Sequence, residues 1–284
     1  MRRMFDGASR SKLDNALPAY IRAQGRVRLG FAANARGTHI ADLSESGGFR
    51  VKFPKGPAKD RICEAVVVNT AGGLTGGDAL DLQIAVGPGA QAVVATQSAE
   101  KIYRSDGAET RISAAVTLES SASLTWAPQE TILFNGARAR RSLAVDMAED
   151  ATLLAAETVV FGRTAMGETL TDACFADRWR VRRGGRLIFA DDVRLTGDVA
   201  ATLARPAVGN GARAAATLLY VSVDAAARLE EVRALALTCE WGAGVWDGML
   251  CARLVGPDAA AVRAGVGALL GFLSGRPLPR VWGC

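Results

Sequence analysis

The side chains here that could handle a cation are mostly oxygens. The single histidine, His39, lies in Gly37-Thr38-His39-Ile40, a stretch patterned like a strand edge, and Cys63, Cys174, Cys239, Cys251 and Cys284 include no CxxC pair. A Ser-His-Asp or Cys-His nucleophile would have to be built on that one imidazole. A tight zinc-type site draws on His and Cys clusters, which this sequence does not contain. Instead it offers hydroxyls, amides and carboxylates at spaced positions: Thr96 and Gln97 with Glu100-Lys101, then Gln129-Glu130, then Glu157. Such oxygens are weak ligands for divalent metals. Brought into line, they would form either a solvated rim or the lining of a path for a cation.

A weak repeat would bring them into line. Ile84-Ala85-Val86 leads to Ala90, Val116-Thr117-Leu118 to Ala122, and Val145-Asp146-Met147 to Ala151. Each unit reads apolar, gap, apolar, turn, then alanine, and an apolar strand follows. The units start about thirty residues apart, a period that suggests stacked β units sharing one long core. The rest agrees with β structure. Val27, Leu29 and Phe31 alternate with polar or small residues, as do Leu80 to Val86, Ile112 to Leu118, Leu143 to Met147, and Trp179 with Val181. Period-two alternation means one buried and one wet face. Gly87-Pro88-Gly89, Ser120-Ser121, Glu149-Asp150 and Gly184-Gly185 punctuate the runs. Two helices are expected near the C-terminus. One carries Leu229, Val232, Leu235 and Cys239 with Asp224 as its cap; the other carries Val262, Val266, Leu269, Leu270 and Leu273 between Asp258 and Gly275. This order argues against βαβ units and a nucleotide-type parallel sheet.

Four motifs bear on chemistry. Asn69 to Asp78 holds a glycine cluster, but no Gly-Lys-Ser/Thr closes it and a strand follows it, so a phosphate cradle is not expected. It reads as a tight turn with Asp78 held at its end. Glu100-Lys101-Ile102-Tyr103-Arg104 is either a salt-bridged surface strand or a Lys–Glu pair inside a channel, where each charge would need a partner. In Trp126 to Phe134, Pro128 stops a strand ahead of Gln129 and Glu130. Glu157, Arg163 and Glu168 could form an ionic cluster over a glycine-containing loop.

Hydrophobic residues make up 49% and charged residues 22%, the balance of a globular protein rather than a disordered one. The net charge is +5, nearly all of it arginine, which admits an acidic partner held by two-point guanidinium contacts. No apolar stretch follows Arg2-Arg3 as a signal peptide would require, and no window supplies the ~20 apolar residues of a membrane span. A cytoplasmic protein with reduced thiols is the expectation.

The glycine loop Asn69–Asp78, Thr96 with Glu100 to Arg104, Pro128 to Phe134, Gly162-Arg163 with Gly167-Glu168, and the tail Leu278-Pro279-Arg280-Val281-Trp282 together resemble the UreD (UreH) family of urease accessory proteins, in order and spacing. The resemblance runs from about Gly25 to the end. It implies one mainly β domain over residues 25–284, a two-layered, β-helix-like stack of twisted sheets with two α-helices in the C-terminal half, preceded by an arm over residues 1–24. It implies no enzymatic activity and no tightly bound cofactor. The implied partners are the urease apoprotein, UreF and, through UreF, the GTPase UreG, with Ni2+ in transit through an internal tunnel. Weak, transit-type metal contacts are then expected at Asp78, Glu157 and Asp191. Tunnel or partner contacts are expected at Thr96, Glu100, Lys101, Gln129, Glu130, Arg163 and Glu168. A path of scattered carboxylates suits a cargo that must be released.

Two other classes compete. A β-helix carbohydrate-active enzyme using paired carboxylates would want an aromatic groove, yet aromatics are 6% and do not cluster. A basic nucleic-acid-binding protein would want a contiguous basic stripe, for which Arg178, Arg180, Arg182 and Arg183 are the best candidates. Neither nucleic acid nor membrane is the expected partner.

Overall fold

The computed structural model describes residues 22–54 and 61–283. Most of the expected N-terminal arm therefore lies outside the described residues, and its end, Gln24, already belongs to the first strand. Strands β1 (Gln24–Asn34) and β2 (Gly37–Ser46) form a hairpin, followed by the antiparallel pair β3 (Phe49–Lys52) and β4 (Cys63–Asn69). The chain then winds in coils. β5 (Ala79–Val86), β6 (Gln91–Thr96) and β7 (Glu100–Ile102) make the first. β8 (Thr110–Leu118), β9 (Ser123–Ala127) and β10 (Thr131–Leu133) make the second, and β11 (Arg138–Met147) with β12 (Thr152–Phe161) the third. β13 (Ala173–Arg183) and β14 (Arg186–Gly197) close one side. Helix α1 (Val199–Ala204), β15 (Ala214–Val221), α2 (Leu229–Arg233), β16 (Glu240–Trp246), β17 (Met249–Gly256) and α3 (Ala259–Ser274) complete the chain.

Two sheets result. The first is seven-stranded, in the order β14-β13-β11-β8-β5-β1-β2; the second is ten-stranded, running β16-β17-β15-β12-β9-β6-β4-β3, with β7 and β10 continuing beside the end of β12. Every coil places a long strand in each sheet, with the short β7 and β10 added to the ten-stranded one, so like positions of successive coils lie side by side. Ile84 pairs with Val116 and Val116 with Val145, the register expected from the repeat. Ala90, Ala122 and Ala151 are buried at the corners between the sheets. There Ser123 N donates to Ala90 O (2.9 Å) and Thr152 N to Ala122 O (2.8 Å), so stacked backbones leave room for little more than a methyl group.

One core lies between the sheets, built from residues such as Leu29, Leu82, Val116, Leu124, Leu143, Leu153 and Trp179. A second lies on the outer side of the ten-stranded sheet, where α3 packs on β12, β15 and β17. Its stripe, Val262, Val266, Leu269, Leu270 and Leu273, is buried throughout. Asp258 caps it by accepting from Ala260 N (2.9 Å), and Gly275 ends it at φ +63°. Burying side chains of this size contributes roughly 1.5–3 kcal/mol each, which fixes the helix far more firmly than its propensity does.

The other helices differ from expectation. The helix at Leu229 is a single short turn, and Asp224 does not cap it. Its carboxylate instead accepts from Tyr220 Oη (2.8 Å) and Ser222 Oγ (2.5 Å), which holds the preceding turn. A third helix, α1, is capped by Asp198 through Ala201 N (2.8 Å). Its six residues are too few for a visible period.

Candidate functional site

Three neighbouring strands each aim a charged side chain into the space between the sheets. On β11 the inward positions Leu143, Val145 and Met147 continue back by two residues to Arg141. On β13, Trp179 and Val181 continue back to Asp177, which is the register partner of Arg141. From the opposite sheet, β12 contributes Glu157 between Ala155 and Val159. Strand parity commits all three to the interior, where charges must find one another.

They do so unequally. Arg141 Nη2 donates to Asp177 Oδ2 at 2.5 Å and Nε to Oδ1 at 3.2 Å, a two-point contact. Its Nη1 donates to Thr131 Oγ1 at 3.1 Å. Glu157 Oε1 accepts from the indole Nε1 of Trp126 at 2.9 Å. Glu157 Oε2 lies 2.9 Å from Arg141 Nε but accepts no aligned hydrogen bond. One guanidinium thus faces two carboxylates, and Asp177 has the better geometry. Burial, which the Asp177 charge reinforces against Arg141 and Trp126, therefore holds the Glu157 carboxyl above the usual carboxylate range. Burial also opposes the charge on Arg141, but the two carboxylates outweigh it and hold the guanidinium firmly protonated.

This cluster is in the wall of an open cleft of about 490 Å³, which Glu240, Trp241 and Arg253 also line. A second cleft, of about 680 Å³, lies between β14 and the strands β16 and β17, and includes Phe189, Trp246 and Cys251. Gly242 and Arg253 border both. Arg253 Nη2 is held 2.8 Å from Asp191 Oδ2, so Asp191 touches the arginine that both clefts share without itself lining either. Burial weighs against the Arg253 charge, and the Asp191 contact more than restores it. Among the described residues, no group of three or more His, Cys, Asp or Glu side chains forms a ready-made metal site.

The remaining candidate residues are placed elsewhere. Asp78 ends the glycine turn, its Oδ1 accepting from Ala23 N (2.7 Å) and its Oδ2 from Thr75 N (2.8 Å); it lines neither cleft. That turn admits no side chain at Gly73, where φ is +154° and a Cβ would stand 2.4 Å from the Tyr103 ring. Thr96 Oγ1 accepts from Gln129 N (2.8 Å). Glu100 accepts from Asn69 Nδ2 (2.9 Å), and burial raises its carboxyl to about 7, against the opposing pull of Asn69 and Lys101. Lys101 is exposed: neighbours on a strand point to opposite faces, so the two do not share a channel. Gln129 and Glu130 clasp the C-terminal tail, since Gln129 Nε2 donates to Val281 O (2.7 Å) and Arg263 bonds Gln129, Glu130 and Trp282 O. Arg163 and Glu168 form an exposed two-point pair beside Phe134, without Glu157, which turns inward to Arg141 instead. Arg141 and Asp177 escaped the sequence reading. The available signal was a charged residue at an inward parity position on each of three strands.

The family model described as UreD urease accessory protein matches residues 23–283. The chain is 49% identical over 269 residues to the urease accessory protein UreD of Azorhizobium caulinodans, covering 93% of this chain and 98% of that one. It is 50% identical over 274 residues to the urease accessory protein UreD 1 of Methylobacterium radiotolerans, covering 94% of each. A third relative, the urease accessory protein UreD of Xanthobacter autotrophicus, is 48% identical over 263 residues, with 92% of this chain and 90% of that one covered. The chain therefore belongs to the UreD family of urease accessory proteins and is an accessory protein rather than an enzyme.

Proposed function

We propose that this protein is a scaffold for urease maturation that docks on the urease apoprotein and on UreF, which brings in the GTPase UreG, and that nickel is its cargo. Family membership supports the accessory role. The observation that carries the cargo reading is the shared arginine. Two carboxylates on one guanidinium leave a surplus negative charge in the wall of an open cleft. Such a site attracts a divalent cation, yet its oxygens are partly engaged by Arg141 and Trp126, so the cation is held loosely. From there the route proposed runs past Arg253 and Asp191 into the second cleft. Asp78, committed to backbone N–H groups, serves the glycine turn in this reading and not the route. The setting is proposed to be the cytoplasm, and no helix among the described residues is long and apolar enough to cross a membrane.

The test is a urease operon lacking this gene, complemented with the parent or with the double variant Glu157→Gln/Asp191→Asn. The double variant should still co-purify with the urease apoprotein and UreF, while urease nickel content and activity fall at least tenfold. Parental nickel loading in that variant would refute the route.

A further inference from the structure

Apart from Ala190 at its β14 edge, the outer face of the seven-stranded sheet has no part in the clefts, and its strands are not roofed by α2 or α3, which pack on the other sheet. It is flat for a sequence reason. Short side chains take outward positions on its central strands: Ala115 on β8 pairs with Ala144 on β11, and Ala85 stands near the end of β5, one outward position past Gln83. Arginines stand around this flat middle. Arg26 and Arg28 rise from β1, and Arg178, Arg180 and Arg182 occupy alternate positions of β13. Carboxylates offset part of this charge: Asp81 pairs with Arg26, Asp42 with Arg28, and Asp192 serves Arg178 and Arg180 together. Arg111, Arg182 and Arg194 make no ion pair with any described residue. Arg111 lies directly beside Arg140 in the parallel ladder, but Glu109 holds Arg140 (3.0 Å), which leaves the Arg111 charge without a carboxylate among the described residues. An external acidic surface would supply one.

We infer that this bare arginine-bordered face is a docking surface for an acidic, nearly flat protein surface. The inference rests on the scaffold reading above and adds which face does the docking. The dimensions are adequate. Seven strands ~4.8 Å apart and about eight residues at ~3.3 Å rise give roughly 750 Å², close to one side of a standard protein interface. Asp81, Asp146 and Asp192 interleave with the arginines, so the pattern has both signs with a positive surplus, as a protein partner needs and a phosphate backbone does not.

The experiment co-expresses the urease apoprotein with the full chain, either parental or carrying Arg111→Glu, Arg182→Glu and Arg194→Glu together. Retention is measured across a salt series, beside binding to a 30-base-pair DNA duplex. The expected result is parental retention that weakens with salt and is at least tenfold weaker in the variant, whose unfolding midpoint stays parental. A milder set with glutamine at the same positions should fall between them, which separates lost charge from a damaged fold. Equal retention of parent and variants overturns the inference and leaves the scaffold reading intact. Failure of the parent to bind the apoprotein removes the scaffold reading, and the inference with it. DNA binding tighter than apoprotein binding, lost in the variant, assigns the face to nucleic acid and also overturns it.

Discussion

Replacing Arg141 with methionine isolates the logic of the interior cluster. The Arg141 and Glu157 side chains are 7% and 4% exposed, so water from the cleft replaces only a small part of a lost partner. Removing one member of a buried pair generally costs about 3–5 kcal/mol, because a charge is left uncompensated. Here two carboxylates would be left, with Trp126 as a donor to one of them. Arg141→Met is therefore expected to cost about 3–5 kcal/mol near pH 7.5, roughly 2–4 °C of melting temperature per kcal/mol. Glu157→Gln should behave differently. It removes the carboxylate with the poorer geometry and leaves a one-to-one Arg141–Asp177 pair, so stability should stay within about 1 kcal/mol of the parent or rise. The pH dependence gives a second check. An acid held above its ordinary pKa in the folded state favours folding at low pH, and that contribution is lost as pH rises through the folded value. Without Arg141 the Glu157 carboxyl rises further, so the deficit of Arg141→Met should be larger at pH 7.5 than at pH 5. Urea unfolding followed by far-ultraviolet circular dichroism at both pH values measures each quantity. A Glu157→Gln deficit as large as that of Arg141→Met would refute the reasoning, as would an Arg141→Met deficit independent of pH.

Two further perturbations test the surroundings. Glu100, raised to about 7 chiefly by burial, contributes stability below its ordinary value of 4.5 and loses it as pH rises through about 7. Glu100→Gln should therefore gain about 1–2 kcal/mol at pH 8, allowing for partial solvent screening, and little at pH 5; unchanged urea midpoints at pH 8 would count against it. Trp282 donates from Nε1 to Ala127 O at 3.0 Å and lies under the Arg263 guanidinium, 4.8 Å from its ring centre. Trp282→Ala should cost about 3 kcal/mol and speed hydrogen exchange in α3, and a loss below about 1 kcal/mol would show that the tail is not part of the core.

The fold was legible wherever alternation and turns repeat. Ile84, Val116 and Val145 were enough to predict both the stacking and its register, because a coil that misses its register by one residue turns its apolar side chains outward. The family resemblance supplied what periodicity does not, namely that successive coils split between two sheets. The site was less legible. Glu157 could be singled out as a carboxylate after a repeat unit, but its partner could not, because Arg163 is near in sequence whereas Arg141 is near only across the sheets. Gln129 and Glu130 present the same difficulty: Arg263, which engages both, lies more than a hundred residues away in the chain. Local charge patterns report pairings on one strand or loop, whereas buried polar groups are matched by topology.

The proposed cargo role puts opposing demands on one cluster, and the arginine reconciles them. Glu157 and Asp177 facing each other alone in a buried wall would repel, and at least one would take up a proton, which would weaken its attraction for a metal. Arg141 keeps Asp177 engaged through two contacts while leaving Glu157 Oε2 close by without an aligned donor. A cation arriving from the cleft would therefore meet one oxygen that costs little to recruit and others already hydrogen-bonded. Each further ligand must be taken from Arg141 or Trp126, so affinity rises slowly with coordination, and departure restores those bonds. A histidine or thiolate at the Glu157 position would remove that restoring force and hold a borderline-soft metal far more tightly. Under the proposed cargo role Arg141 would set how readily the cargo leaves, and Glu157 would set whether it enters.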